Sequence, residues 1–251
     1  MARKSDKIIV DVRDVTMVYN AKNRDASTHV HALRGLTVQV YENEFFAIMG
    51  PSGSGKSTLF NQIGALQTPT SGEVLIDGVN LASLSPQQLA AVRCFELGYI
   101  FQTYNLLPVM SALMNVALPT IFAGMTTEQG EQRALECLEI VGLGDRAHHL
   151  PSELSGGQMQ RVAIARAFVN RPRTILADEP TGNLDSHTGQ EIINYMKGLQ
   201  QEMGTTIITV THDDKMLSSA DRVAWIRDGQ LERVADREDV DIRMGSISHG
   251  D

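Results

Sequence analysis

Cysteine is scarce. Among 251 residues only Cys94 and Cys137 occur, far apart and without ligand spacing. That excludes a disulfide framework and a thiolate metal cage, and the pair reads as reduced thiols of a cytosolic protein. Positive charge is also in deficit, with Lys plus Arg at 22 against Asp plus Glu at 30, a formal net charge of -8 and a pI near 5.4. The sign is wrong for a general nucleic-acid surface, so no nucleic-acid partner is expected. Long apolar runs are missing too. The longest, such as Phe45 to Met49, are strand length against the ~20 residues that span a bilayer, so a membrane role requires a partner chain. The opening Met-Ala-Arg-Lys-Ser-Asp-Lys runs into Ile8 to Val12 without the apolar core of about 7 to 15 residues of a secretory leader, and export is not expected. Aromatics make up 5%. What is present, 42% hydrophobic and 21% charged residues, is the composition of a globular chain, and at this length roughly 70 to 75% of the unfolded surface can be buried without a staple.

Periodicity divides the chain. Ile8 to Tyr19 and Leu36 to Met49, the latter around a turn at Glu42-Asn43, read as β structure, separated by a polar loop from Asn20 to Thr28. A helix is predicted from Lys56 to Leu66 and a strand from Glu73 to Asp77. Ser85-Pro86 starts a helix to Phe95, and Leu97 to Phe101 is the next strand. Between Tyr104 and Ser152 no strand is predicted, while Thr126 and Gln129 form a capping box for a helix that stops at Gly142. Helix from Gly157 to Asn170, strand from Thr174 to Ala177, helix from Ser186 to Met203 and strand from Thr205 to Thr211 complete the alternation. Alternating strands and helices predict a parallel sheet covered on both faces, an α/β fold.

Gly50-Pro51-Ser52-Gly53-Ser54-Gly55-Lys56-Ser57, with Thr58 following, lies between an apolar strand and a helix, the context a phosphate loop requires. Its backbone N–H groups can turn inward around phosphates, Lys56 adds a point charge, and the Ser57 hydroxyl can ligate Mg²⁺. Ile175-Leu176-Ala177 ends in Asp178-Glu179, two carboxylates at the carboxyl end of a strand, where open α/β sheets bind ligands. Asp178 is expected to support Mg²⁺ and Glu179 to act as general base on the attacking water. Leu154-Ser155-Gly156-Gly157-Gln158 opens a second helix whose N–H groups form another anion site. One nucleotide does not need two cradles, so this one is expected to meet a nucleotide held by another copy.

These motifs resemble the ATP-binding-cassette family of transporter ATPases, over residues from about Ile8 to Arg233. The resemblance implies a P-loop NTPase fold: a RecA-like parallel core, an antiparallel β subdomain and a helical subdomain at about 103–156, together one nucleotide-binding domain at 1–233 with a tail at 234–251. It also implies ATP and Mg²⁺ as cofactors and a head-to-tail homodimer, with Ser155, Gly156, Gly157 and Gln158 facing the γ-phosphate of the opposite subunit. Tyr19 is similar to the aromatic that stacks on adenine. Gln102 resembles the glutamine that senses Mg²⁺ and the lytic water, Asn183-Leu184-Asp185 the loop across the interface, and His212 the γ-phosphate switch. Metal contacts thus fall to Ser57, Gln102 and Asp178, and catalytic roles to Glu179, His212 and Gln102.

Phe101 to Pro108 and Asp178 to Asp185 resemble the branch with the lipoprotein-releasing, macrolide-exporter and cell-division ATPases. That implies a separate transmembrane permease with a periplasmic domain, and a place on the cytoplasmic face of the inner membrane. The function implied is ATP hydrolysis driving export or extraction. The alternative is a cell-division ATPase that regulates a periplasmic hydrolase without transport. Asn43 stands where Gly is common in the branch, a substitution a left-handed turn tolerates, and Met114 and Met159 stand where Glu and Gln are common.

Overall fold

The computed structural model describes residues 5–21 and 25–240. Two sheets organise the chain. Strands β1 (Ile8–Tyr19), β2 (Val30–Tyr41), β4 (Ser71–Ile76) and β5 (Val79–Asn80) form an antiparallel sheet in the order β2-β1-β4-β5. The second sheet adds β3 (Phe45–Met49), β6 (Leu97–Ile100), β7 (Thr174–Asp178), β8 (Thr206–Val210), β9 (Arg222–Arg227) and β10 (Gln230–Asp236) in the order β10-β9-β3-β8-β7-β6. It is parallel except for the β9–β10 pair.

Its central strands are apolar throughout because both faces are covered. Phe45, Ala47 and Met49 of β3 point into one core, together with Ile175 and Ala177 of β7. The intervening Phe46 and Ile48, with Leu176, point into the other. Each such aliphatic or aromatic side chain, removed from water on folding, contributes roughly 2 kcal/mol, which makes the register of these strands hard to shift.

Helices α1 (Lys56–Ile63), α2 (Pro86–Phe95), α5 (Gly156–Phe168), α6 (Ser186–Met203) and α7 (Asp214–Ser219) accompany the sheets. Helices α3 (Ala112–Phe122) and α4 (Thr127–Ile140) fill the stretch between β6 and β7, which holds no strand. The N-cap at Ser85 and the capping box at Thr126–Gln129 form as the sequence implies, Ser85 adding a box with Gln88, and Asn43 takes the left-handed turn with φ 62°. Boundaries shift where tertiary contacts decide. The chain leaves α1 at Gly64, whose neighbours Tyr99 and Leu176 leave little room for a side chain. Strand β2 starts at Val30 because β1 runs to its pairing partner Tyr19. At the other end, β10 pairs with β9 through Asp236↔Arg222, so regular structure continues past residue 233. Residues 241–251 of the expected tail lie outside the described residues.

Candidate active site

The strand order places β8 between β3 and β7. The segments leaving the carboxyl ends of these three strands therefore lie side by side: the phosphate loop after Met49, Thr211-His212 after Val210, and Glu179 after Asp178. This is the crevice where a doubly wound sheet binds its ligand.

The loop's path depends on its glycines. A Cβ on Gly50 would stand 2.1 Å from the Ile226 carbonyl oxygen, and one on Gly55 2.5 Å from that of Ala32, both against backbone. Gly55, at φ 102°, caps α1 without a side-chain bond, leaving the helix N-terminus open to an anion. Lys56 lies along the loop and donates to the carbonyls of Gly50 (2.8 Å) and Pro51 (2.9 Å). Burial lowers its pKa, against the opposing pull of Glu179 and Asp178. Asp178 shifts upward, from burial first and the Glu179 carboxylate second, with Lys56 opposing. The three groups thus share one electrostatic site.

Glu179 sits at φ 44°, a left-handed conformation that costs a non-glycine residue about 1–3 kcal/mol and marks backbone strained at a functional position. Its Oε1 accepts from His212 Nδ1 at 2.8 Å. A carboxylate can only accept, so Nδ1 carries the hydrogen. The carboxylate is shielded and the imidazole open, with side-chain exposures of 23% and 70%. Gln102 reaches the same place: its Nε2 would lie 2.8 Å from a Cβ on Gly182, which Glu179 O also approaches. Asn183 Nδ2 donates to Gln102 O at 2.8 Å.

Tyr19, at the end of β1, is tied to α1: its hydroxyl lies 3.3 Å from Thr58 Oγ1 and donates to Gln67 Oε1 at 3.0 Å. Ser155 caps α5, accepting from Gln158 N–H at 3.3 Å while its own N–H donates to Gln158 Oε1 at 2.9 Å. This start of α5 packs against the start of α6 and the turn after Gln102. A Cβ on Gly157 would meet Thr188 Cγ2 at 2.4 Å, and one on Gly156 the Tyr104 hydroxyl at 3.1 Å. Asp185 caps α6, accepting from His187 N–H, Thr188 N–H and Thr188 Oγ1 at 3.0, 3.0 and 2.6 Å; the Thr188 bonds hold its carboxyl below the usual range. The expected site residues thus form two groups, one around Lys56, Asp178, Glu179, Gln102 and His212, the other at the starts of α5 and α6.

Sequence reasoning missed Arg166. From α5 it donates to Asn105 O (2.5 Å) and Tyr104 O (2.7 Å), and both acceptor residues have positive φ, 60° for Tyr104 and 50° for Asn105. One guanidinium fork therefore holds the strained turn that follows Gln102. Arg166→Met should leave two carbonyls poorly satisfied, at ~2 kcal/mol or more. Amide exchange over residues 103–107 is then expected to quicken by about 30-fold with the core strands unaffected; an unchanged rate would refute the clamp.

Hard oxygen donors, Ser57 Oγ, the Gln102 amide oxygen and the Asp178 carboxylate, suit Mg²⁺. Among the described residues no cluster of His, Cys, Asp or Glu forms a metal cage of its own.

Residues 33–182 match the family model described as ABC transporter. The lipoprotein-releasing system ATP-binding protein of Shewanella frigidimarina is 44% identical over 92% of this chain and 95% of its own. A macrolide export ATP-binding/permease protein of Hyphomonas neptunium is 46% identical over 89% of this chain, which spans 34% of that larger protein. The fold superposes with TM-score 0.82 on an ATP-binding cassette of Methanocaldococcus jannaschii, solved as a dimer in a post-hydrolysis state with ADP and Pi. The two chains are 44% identical, with 91% of this one and 98% of that one covered.

Proposed function

The chain belongs to the ABC transporter family as an ATP-binding, ATP-hydrolysing subunit, and on that premise we propose how its residues divide the work. The observation that carries the assignment is the 2.8 Å contact between Glu179 and His212 beside Lys56. It joins a proton acceptor, an imidazole and a phosphate-binding cation from three sequence-distant segments. Gly50 to Thr58 would wrap the β- and γ-phosphates, with Lys56 turning from its own loop carbonyls to the anion. Tyr19 would face the adenine. Ser57, Gln102 and Asp178 would hold Mg²⁺, which when bound neutralises charge on the phosphates. Glu179 would take the proton of the attacking water, and His212 would orient that carboxylate and reach the γ-phosphate.

Ser155 to Gln158 and Asp185, at the starts of two neighbouring helices, would meet a nucleotide held by a second copy. That makes the homodimer the catalytic unit, as the dimeric cassette from M. jannaschii supports. The cassette would run through the end of β10 at Asp236, with the helical stretch at 103–156 carrying the permease contact.

No helix among the described residues is long and apolar enough to cross a membrane. This chain would lie at the cytoplasmic face of the inner membrane and pass force to a separate transmembrane permease that carries a periplasmic domain. A pull-down from gently solubilised membranes with the Glu179→Gln variant and ATP tests this. Co-purification of a membrane protein with a large periplasmic domain is expected; recovery of ribosomal or DNA-associated chains alone would overturn the transporter reading.

A further inference from the structure

Helix α5 carries a polar side chain that this scheme leaves without a task. Gln160 is completely buried, at 0% exposure, and its Nε2 donates to Pro180 O at 2.7 Å while its Oε1 has no partner. The orientation of the amide is dictated by the acceptor, because a carbonyl oxygen can face only the nitrogen. An apolar side chain of the same length would fill this place without burying an unsatisfied oxygen. Packing alone therefore does not call for glutamine.

Its acceptor is the residue after Glu179. The left-handed Glu179 backbone is pinned by two main-chain bonds, Glu179 N–H to Val210 O at 2.9 Å and Gly182 N–H to Glu179 O at 3.0 Å. Neither fixes the carbonyl of Pro180; Gln160 does. The pivot between the end of β7 and the turn at Gly182 is thereby clamped on the side facing α5. Pro180 cannot substitute a bond of its own, since it has no N–H.

We infer that Gln160 is a positioning residue that holds the Glu179 carboxylate on line for proton abstraction. The inference rests on the assignment of Glu179 as general base. Its further content is mechanical: Ser155 caps the same helix and is assigned to the partner's nucleotide. Helix α5 then ties the contact with one nucleotide to the aim of the base that acts on the other.

Two variants test it, with Glu179→Gln measured alongside. Gln160→Met keeps the length and removes the donor. Its kcat should fall about 10-fold while KM for ATP stays within about twofold, because misaiming a reacting group costs rate rather than ground-state binding. Gln160→Glu restores an O–H donor to Pro180 only when protonated, and burial favours that neutral form. Its kcat, taken as a ratio to the native enzyme at each pH, should be near one up to about pH 7 and fall several-fold by about pH 10, above the ~8–9 that the pKa of a fully buried glutamate reaches. A purely structural role would lower the melting temperature and leave that ratio flat. A native kcat in Gln160→Met, or a flat ratio in Gln160→Glu, overturns the inference; should Gln160→Met not fold, the pH ratio decides alone. If Glu179→Gln itself turns over at the native rate, the base assignment fails and carries the inference with it. If only the Gln160 variants are native-like, the inference fails and the base assignment stands.

Discussion

Glu179→Gln is expected to reduce steady-state ATP turnover by two or more orders of magnitude, the range associated with removing a general base, while ATP affinity stays within about twofold. The physical case for so clean a separation is local. Glutamine is nearly isosteric with glutamate, and its amide oxygen can still accept from His212 Nδ1, where the native bond is 2.8 Å. The strained backbone at φ 44° is held by main-chain bonds that the substitution does not touch. What disappears is the basic oxygen and the charge beside Asp178. Losing that charge should ease binding of a polyanion, since Glu179 is one of the groups that raise the Asp178 pKa. The ATP-bound homodimer should therefore accumulate, visible as a dimer peak in size-exclusion chromatography with ATP that is absent with ADP. A variant that hydrolyses ATP within about fivefold of the native rate would remove Glu179 from the role of base. Loss of ATP binding in the same variant would point instead to a structural collapse.

Local chemistry made much of this architecture legible before any coordinates. Ser85, Thr126 and Asp185 cap helices whose starts are legible in the sequence to within a residue, because a capping side chain and the N–H groups it accepts from lie within one turn of each other. The phosphate loop and Asp178-Glu179 were readable for a related reason, as both motifs are contiguous in sequence. The β9–β10 hairpin went unread although Asp228-Gly229, at φ 50° and 77°, is a strong hairpin turn. Its flanks are uneven: β9 is largely buried in the sheet, whereas β10, at an edge, mixes exposed and half-buried positions without strict alternation.

What the sequence could not disclose is contact between distant segments. Nothing local marks Gly157 as the place where Thr188 of α6 comes within 2.4 Å of a Cβ, or says that Arg166 and Gln160, about 1.7 turns apart on α5, reach the turns after Gln102 and Glu179 respectively. Both are polar residues on a mostly buried helix, and that mismatch between side chain and environment is the signal that could have flagged them.

The glycines of the phosphate loop give the largest expected effect on stability, and they divide by what surrounds them. Gly50→Ala would place a Cβ 2.1 Å from Ile226 O and 2.7 Å from Ser54 Oγ at a φ of 154°. The first contact is with backbone of a central strand and cannot be relieved by a rotamer change. Overpacking and backbone strain together should cost roughly 3 kcal/mol or more, a fall in melting temperature of about 6–12 °C for a chain of this size. Gly53→Ala is the opposite case. Its φ is 79°, yet a Cβ there meets nothing within 4 Å, so only the left-handed penalty of about 1–2 kcal/mol applies. Gly53 lies within the loop to which the phosphates are assigned. Gly53→Ala should therefore fold but bind ATP at least about 10-fold more weakly, a difference of ~1.4 kcal/mol. Calorimetric melting and nucleotide titration of the two variants separate the effects. If Gly53→Ala binds ATP as the native chain does, the phosphates do not lie over Gly53. If Gly50→Ala melts like the native chain, the loop has room to move away from β9, and its rigidity does not come from the strand beneath it.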